Sequence, residues 1–259
     1  MVSQRKVSER ASRRAFFGGS LLLFTVSAAM TIHGCISMSA MGEMWMIRMP
    51  GQTWLGAASS FLGMWVVMMP AMMLPSLVPT LWRYRQAVGT GHPNRHRLTV
   101  LVGAAYFSVW AACGMAAFPL GVALAAVEMQ LPGLARAAPM AVGVVVLIAG
   151  CLQLTAWKAR RLACCRTPPG CARSMPADAG TAWRYGLRLG LHCSYCCAGL
   201  TAVLLVIGVM DLRAMAAVTS ATTVERLVPA GARVARAIGV VIVAAGLVLI
   251  ARTAGSVLP

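Results

Sequence analysis

Three cysteines and a histidine lie within one short apolar stretch, at His192, Cys193, Cys196 and Cys197. If this stretch is helical, all four share one face within an arc of about 140°, because successive residues advance by about 100°. Cys193 and Cys196 have the C-x-x-C spacing that lets two thiolates reach one metal ion. Buried free cysteines also serve as small apolar side chains, so packing is the alternative interpretation. Three thiols and an imidazole on one face favour metal binding.

A second group of soft ligands consists of five methionines within ten residues, at Met64, Met68, Met69, Met72 and Met73. On a helix, Met64, Met68 and Met72 fall within an arc of about 80°. Methionine as a flexible filler of an apolar helix is again the alternative. Thiolates and thioethers together favour Cu(I) over Mg²⁺, Ca²⁺ or Mn²⁺, which prefer oxygen ligands. We therefore predict a copper site, with Cu(I) bound by residues drawn from both groups. The predicted ligands are Cys193, Cys196, Cys197, His192, Met64, Met68, Met72 and Met73.

The elements that must hold these ligands are membrane-spanning helices. Hydrophobic residues make up 59% of the 259-residue chain and charged residues only 11%, and the mean hydropathy is +0.75. A soluble domain needs roughly 25% charged residues, so the lipid bilayer is the expected surrounding. We predict an all-α fold, a single membrane domain formed as a multi-pass transmembrane helix bundle of about six spans. The apolar runs long enough to cross lie near 15–34, 54–80, 98–118, 138–157, 185–210 and 237–253.

Basic residues predict the orientation of these spans. The chain has 23 Lys and Arg residues against six Asp and Glu, a net charge of +17. In a soluble protein this charge would suggest nucleic acid, but membrane proteins collect Lys and Arg in their cytoplasmic loops. We therefore exclude nucleic acid as a partner. Six spans place most of the basic residues on the side of the N-terminus. This predicts an integral membrane protein with a basic cytoplasmic tail at 1–14 and both termini in the cytoplasm.

The two ligand groups are expected at similar depths. The second span runs inward from Trp54 and passes the methionines about ten to fourteen residues later. The fifth span runs outward from Tyr185 and reaches the cysteines after roughly 10–18 Å. We therefore predict that a sulfur of Met64, Met68 or Met72 lies within about 8 Å of a cysteine sulfur of the fifth span, close enough to share a soft ion.

Three further cysteines, Cys164, Cys165 and Cys171, fall in a basic segment predicted to be a cytoplasmic loop. Reducing conditions in the cytoplasm argue against disulfides there. The neighbouring arginines would repel a cation, so we expect at most a transient metal-receiving role.

The segment 211–236 is mixed in character and is expected to form an external helix or a long loop. Within it, Glu225 and Arg226 are neighbours of opposite charge. We expect them to form a local ion pair.

Two motifs resemble one bacterial family. The first is Trp65…Met68-x-x-Ala71-Met72-Met73-x-Pro75-x-x-x-Pro79, and the second is Gly190-Leu191-x-Cys193-x-x-Cys196-Cys197-x-Gly199-Leu200. The second is followed by Gly208-Val209-Met210-Asp211-Leu212 and Glu225-Arg226-Leu227, as in that family. The family comprises integral membrane proteins of unknown function that are predicted to bind metal and are described as copper chaperones. The resemblance implies a multi-helix membrane domain with a metal-binding role. One position departs from it, since Thr201 stands where the family has methionine.

These observations lead to a hypothesis of Cu(I) handling, either delivery or transport. Acids inside the spans are scarce, which favours delivery over transport. The expected partner is an extracytoplasmic or membrane metalloprotein that receives the metal. Three alternatives stay open, namely a membrane thiol–disulfide oxidoreductase using Cys193 and Cys196, a haem or redox subunit, and a structural subunit in which Met and Cys only pack.

Overall fold

The computed structural model describes residues 2–39, 53–89, 92–166 and 178–255, and these form eight α-helices with no strand. The helices are α1 (Val2–Ser39), α2 (Trp54–Val88), α3 (Arg95–Gln130), α4 (Pro132–Leu154), α5 (Ala156–Arg166), α6 (Ala179–Ile207), α7 (Leu212–Leu227) and α8 (Gly231–Gly255). Within the described ranges, six of them are long and apolar enough to cross a membrane, namely α1, α2, α3, α4, α6 and α8. The predicted helical class and the six long apolar helices are confirmed.

Polar caps and glycines set several helix boundaries. The Thr53 side chain accepts a hydrogen bond from the Gly56 amide and begins α2. Asp211 begins α7, since its carboxylate accepts the Arg213 and Ala214 amides. Just before it, Gly208 ends α6 with a φ of 128°, a backbone angle that favours glycine. The chain therefore reverses sharply between α6 and α7.

Glycines let α3 and α6 approach closely and run parallel. A Cβ placed on Gly186 would lie 2.5 Å from the Val102 carbonyl oxygen, and one on Gly190 would lie 3.0 Å from the Tyr106 carbonyl oxygen. Small residues at helix contacts are typical of membrane proteins, where close backbone packing drives association. This contact sets the height of α6 against α3 and brings Cys193 level with Tyr106.

α4 and α8 form an antiparallel pair, and glycines again let the two backbones approach closely. Gly143 faces Ile250, Gly246 faces Leu147, and a Cβ on Gly150 would lie 2.7 Å from the Val243 amide nitrogen. The beginning of α8 therefore lies beside the end of α4.

The course of α7 changes the expected arrangement of the chain ends. We call the end of the bundle where α1, α3 and α6 begin its basic end. α7 runs back from the opposite end towards the basic end, because Arg226 near its finish contacts Ser76 and Cys193. α8 then runs in the direction of α6, so its last turn lies opposite the start of α1. The described ends of the chain thus lie at opposite ends of the bundle, because 211–236 folds into the bundle. The predicted cytoplasmic location of both termini stays a prediction.

The core lies between α2, α3, α6 and α7, and the outer surface is apolar. Trp65, Val102, Tyr106, Leu204 and other large side chains of the core are almost fully buried. Large apolar side chains also face outward along α1, α3, α4 and α8, among them Leu21, Leu22, Val100, Leu120, Ile148, Val240 and Val241. An apolar exterior of this extent is compatible with insertion into lipid.

Candidate metal centre

Four thiols from two helices meet near the middle of α6. Cys193, Cys196 and Cys197 are buried on one face of α6, as their spacing predicts. Cys193 and Cys196 each contact Cys197 through sulfur, and Cys196 also contacts Cys165 of α5. The Cys165 thiol donates to the His192 carbonyl oxygen at 3.3 Å. Every cysteine in the described ranges is a free thiol. The α6 cysteines thus form a chain of thiols that extends to Cys165.

Two donors from other helices reach the sulfur atoms. The Tyr106 hydroxyl lies 2.8 Å from Cys193 Sγ. Arg226 Nη2 donates to Cys193 Sγ at 2.9 Å and to Cys197 Sγ at 3.3 Å, and its Nη1 donates to Ser76 Oγ at 3.2 Å. A guanidinium at this distance stabilises a thiolate, because it offers both a positive charge and aligned N–H donors.

A buried ion pair lies on the other side of the cysteines. Lys158 Nζ and Glu225 Oε2 are 2.9 Å apart, and both side chains are at least 97% buried. Lys158 also donates to the Cys196 carbonyl oxygen at 2.8 Å, and Gln153 Nε2 donates to Glu225 Oε1 at 2.7 Å. Charged groups so far from water need such partners, since desolvation alone is costly.

The expected local pair between Glu225 and Arg226 is therefore wrong. Consecutive residues on a helix point about 100° apart and do not face each other. Glu225 turns towards Lys158, and Arg226 turns towards Cys193 and Cys197. Arg226 thus contacts the cysteine sulfurs directly, whereas Glu225 is connected to α6 through Lys158, which donates to the Cys196 carbonyl oxygen.

The charges around the cluster leave an excess of one positive charge. Lys158 and Arg226 contribute two positive charges and Glu225 one negative charge, while the described neighbours of the sulfurs are otherwise neutral. An uncompensated charge is strongly unfavourable in an apolar interior. One thiolate among the cysteines would restore neutrality. The surroundings therefore favour one negative charge on sulfur.

The methionines lie in the same core as two of the α6 cysteines. Met68, Met72 and Met73 are buried, and Met64 is partly buried against them. They share a continuous core with Cys193 and Cys197. Arg226 bridges from Ser76 on α2 to the α6 cysteines, so its guanidinium lies between the two helices at this level. The predicted thioether–thiol distance of about 8 Å stays a prediction.

The His192 side chain does not join the hydrogen-bonded network. It is partly buried, and its Nδ1 has no hydrogen-bond partner among the described residues.

In the described part of the chain, no group of three or more His, Cys, Asp or Glu side chains is arranged to hold one metal ion. The thiols of Cys165, Cys193 and Cys197 are hydrogen-bonded to the His192 carbonyl oxygen, Tyr106 and Arg226, so binding would require side-chain rotation. Their chemistry nevertheless suits a soft ion, which prefers two or more thiolates.

A polar cavity leads to the cluster. Its volume is about 180 Å³, and its lining includes Thr80 and Arg83 of α2 together with Cys165 and Arg226. Cys165 thus contacts both the cavity and Cys196. Small ligands or a transferred ion could reach the buried thiols by this route.

The chain matches the model of one protein family, described as "PpoB2: Copper chaperone", over residues 62–249. The match extends from α2 into α8 and therefore includes the methionines, all four clustered thiols, Lys158, Glu225 and Arg226. The resemblance seen in the two sequence motifs is confirmed by this match. No curated protein and no solved structure matches the chain.

Proposed function

Since the chain belongs to the PpoB2 family of copper chaperones, we propose that it binds Cu(I) at the thiol cluster and hands it to a metalloprotein. The observation that carries the proposal is the convergence of four buried thiols with Arg226. Cys193, Cys196 and Cys197 are the principal ligands, and His192, Met68 and Met72 complete or relay the site after rotation of their side chains. Thiolates and thioethers are the donors that suit Cu(I).

Charge balance supports a monovalent soft ion. A Cu⁺ ion held by two thiolates, with the third cysteine of α6 still protonated, carries one net negative charge, which matches the excess positive charge of Lys158, Arg226 and Glu225. Binding by two thiols releases protons, because the ligands must be deprotonated. With one thiolate already stabilised beside Arg226, only one more proton has to leave. A divalent ion held by the same two thiolates would leave the site positively charged.

Cys165 provides a route for transfer. It contacts Cys196 inside the cluster and lines the polar cavity outside it. An ion can pass between neighbouring thiolates by exchange of one ligand at a time, with no change in oxidation state. Cys165 is then the last protein ligand before the ion leaves and the first when it arrives.

The proposed surroundings are the bacterial inner membrane, with the basic end in the cytoplasm. The six apolar helices and the apolar exterior support insertion. Near the cysteines, Arg161 stacks on the rings of Trp157 and Tyr195, all on the outer surface. Aromatic and basic side chains gather in this way at membrane interfaces. The cluster therefore lies close to the cytoplasmic boundary.

Metal content of purified variants tests the proposal. Replacing Cys193 and Cys196 together with serine preserves volume but leaves hydroxyls that bind Cu(I) poorly. We expect the double variant to insert and fold while its bound copper, measured by mass spectrometry after anaerobic isolation, falls to background. Cys151→Ser is the matched control, because Cys151 is exposed and outside the cluster. Cys165→Ser should keep its copper and transfer it more slowly to a thiol chelator.

The alternatives give different results in the same experiment. For a thiol–disulfide oxidoreductase, either single cysteine change abolishes thiol oxidation and copper content is irrelevant. For a structural subunit, the double variant and the wild type contain equally little copper. Unchanged copper stoichiometry in the double variant would contradict the proposed site.

A further inference from the structure

A second group of cations lies at the basic end, between α1, α2 and α3, and takes no part in the thiol cluster. Arg85 is only 2% exposed, although it carries a full charge. Its Nη2 donates to Ser12 Oγ at 2.7 Å and lies 2.8 Å from His96 Nε2, while its buried Nε has no partner. Arg95 donates to the same Ser12 oxygen at 2.6 Å. Two guanidinium groups thus converge on one neutral hydroxyl.

These cations line a cavity without a paired anion. The cavity has a volume of about 380 Å³, and four arginines contribute to its wall, at Arg10, Arg13, Arg85 and Arg95. Glu9 is the one acid among its described lining residues, and it forms no ion pair with them within the described ranges. Buried charges are normally paired or hydrogen-bonded in full. The cavity therefore has the electrostatics of an anion site.

An apolar groove adjoins this cavity at Arg85, which lines both spaces. It has a volume of about 460 Å³ and runs between α1 and α3, with Arg85 and His96 at one end. The rest of its wall is mostly apolar and includes Leu23, Leu77 and Phe107. Gly103 opens the groove, since nothing lies within 4 Å of a Cβ placed there. A ligand that fills both spaces has an anionic head and a hydrocarbon tail.

We propose that this is a binding site for an anionic phospholipid, whose phosphate lies on Arg85 and Arg95 and whose acyl chain lies in the groove. Guanidinium groups bind phosphate with paired N–H donors, and the free Nε of Arg85 supplies one of them. Trp82 beside the cavity lies where aromatic side chains meet lipid headgroups. Basic pockets between helices on the cytoplasmic side are typical sites for anionic lipids. The bound lipid would contact α1, α2 and α3 together and so stabilise the packing of α1 on the other two helices.

Native mass spectrometry of the full chain can detect this lipid. The protein in detergent is titrated with phosphatidylglycerol, with phosphatidylcholine and with inorganic phosphate. We expect phosphatidylglycerol to bind at least about tenfold more tightly than phosphatidylcholine, because the trimethylammonium group of phosphatidylcholine offsets the charge of its phosphate and is repelled by the arginines of the cavity. Arg95→Gln should weaken phosphatidylglycerol binding by about tenfold or more. Arg10→Gln, at the exposed rim of the cavity, repeats the test should Arg95→Gln fail to fold.

A groove variant separates a lipid from free phosphate. Gly103→Leu fills the groove and should reduce phosphatidylglycerol binding while leaving any binding of inorganic phosphate unchanged. Gly63→Leu is the matched control, because a side chain there also meets nothing within 4 Å and Gly63 does not line the groove. Equal binding of the two lipids, or full retention of phosphatidylglycerol by the arginine variants, would refute the site. Phosphate binding with no effect of Gly103→Leu on the lipid would assign the cavity to free phosphate and overturn the lipid proposal.

Discussion

Arg226 and Glu225 are adjacent in the sequence, yet they connect α7 to different helices. Arg226 donates to Cys193 and Cys197, whereas Glu225 pairs with Lys158. A cation inside a proposed cation site is at first sight unfavourable. It becomes favourable when the bound species is considered, because Cu(I) with two thiolates is an anion. In the proposed loaded site, Arg226 would stabilise the copper–thiolate group and select against ions of higher charge.

Arg226→Gln tests this role. The change keeps a hydrogen-bond donor but removes the charge that balances the copper–thiolate group. We expect the affinity for Cu(I), measured by competition with a chromophoric chelator, to fall by about 10- to 100-fold, the scale of a charge-assisted hydrogen bond. Arg213→Gln is the control, because Arg213 is exposed at the other end of α7. Unchanged affinity together with lower thermal stability would mean that Arg226 only supports the fold.

The contact between α3 and α6 determines where the thiols lie, so it links helix packing to the site. Gly186 and Gly190 let the two backbones approach, and the same approach brings Tyr106 to within 2.8 Å of Cys193 Sγ. A side chain at either glycine would separate the helices. The site is therefore sensitive to residues that carry no ligand atom.

Gly186→Ala should destabilise the protein, although alanine is the better helix former. A Cβ there would lie 2.5 Å from the Val102 carbonyl oxygen and 2.7 Å from the Ala105 Cβ, so the backbone must move. We expect a loss of about 1–3 kcal/mol from overpacking, seen as a lower melting temperature in detergent. Gly63→Ala, where a Cβ meets nothing within 4 Å, should gain up to about 1 kcal/mol from helix propensity. A gain of stability in both variants would show that the α3–α6 contact is looser than described.

The sequence predicts the apolar helices well and the polar helix α7 poorly, for a physical reason. Span length and hydropathy are local properties, and so is the periodicity that places Cys193, Cys196 and Cys197 on one face. The polar groups of α7 are satisfied only by distant partners, since Gln153 lies 72 residues from Glu225 and Cys193 lies 33 residues from Arg226. Taken alone, these polar residues indicate an external segment. Matched depth likewise predicts the height of the methionines but not that Arg226 lies between α2 and α6.

The return of α7 through the bundle also changes the distribution of charge over the whole molecule. Because α7 runs back through the bundle, Arg233 and Arg236 at the start of α8 lie towards the basic end. Both are exposed there. Arg252, near the finish of α8, moves to the opposite end. The arrangement with α7 inside the bundle thus increases the excess of basic residues on the side where α1 begins, as the positive-inside rule requires.

Reporter fusions decide between this arrangement and six simple spans. The antiparallel packing of α8 on α4, through Gly143 with Ile250 and Gly150 with Val243, places the end of α8 opposite the basic end. With the basic end in the cytoplasm, as proposed, this predicts that α8 ends outside it. We expect alkaline phosphatase joined after Gly255 to be active, because this enzyme folds only in the oxidising space where its disulfides form. The same enzyme joined after Gln86, at the basic end of α2, should be inactive and serves as the control.

Activity at Gln86 with none at Gly255 would reverse the whole orientation. Inactivity at both positions would mean that α8 ends in the cytoplasm. That result would rule out the return of α7 through the bundle, and with it the position of Arg226 beside the thiols.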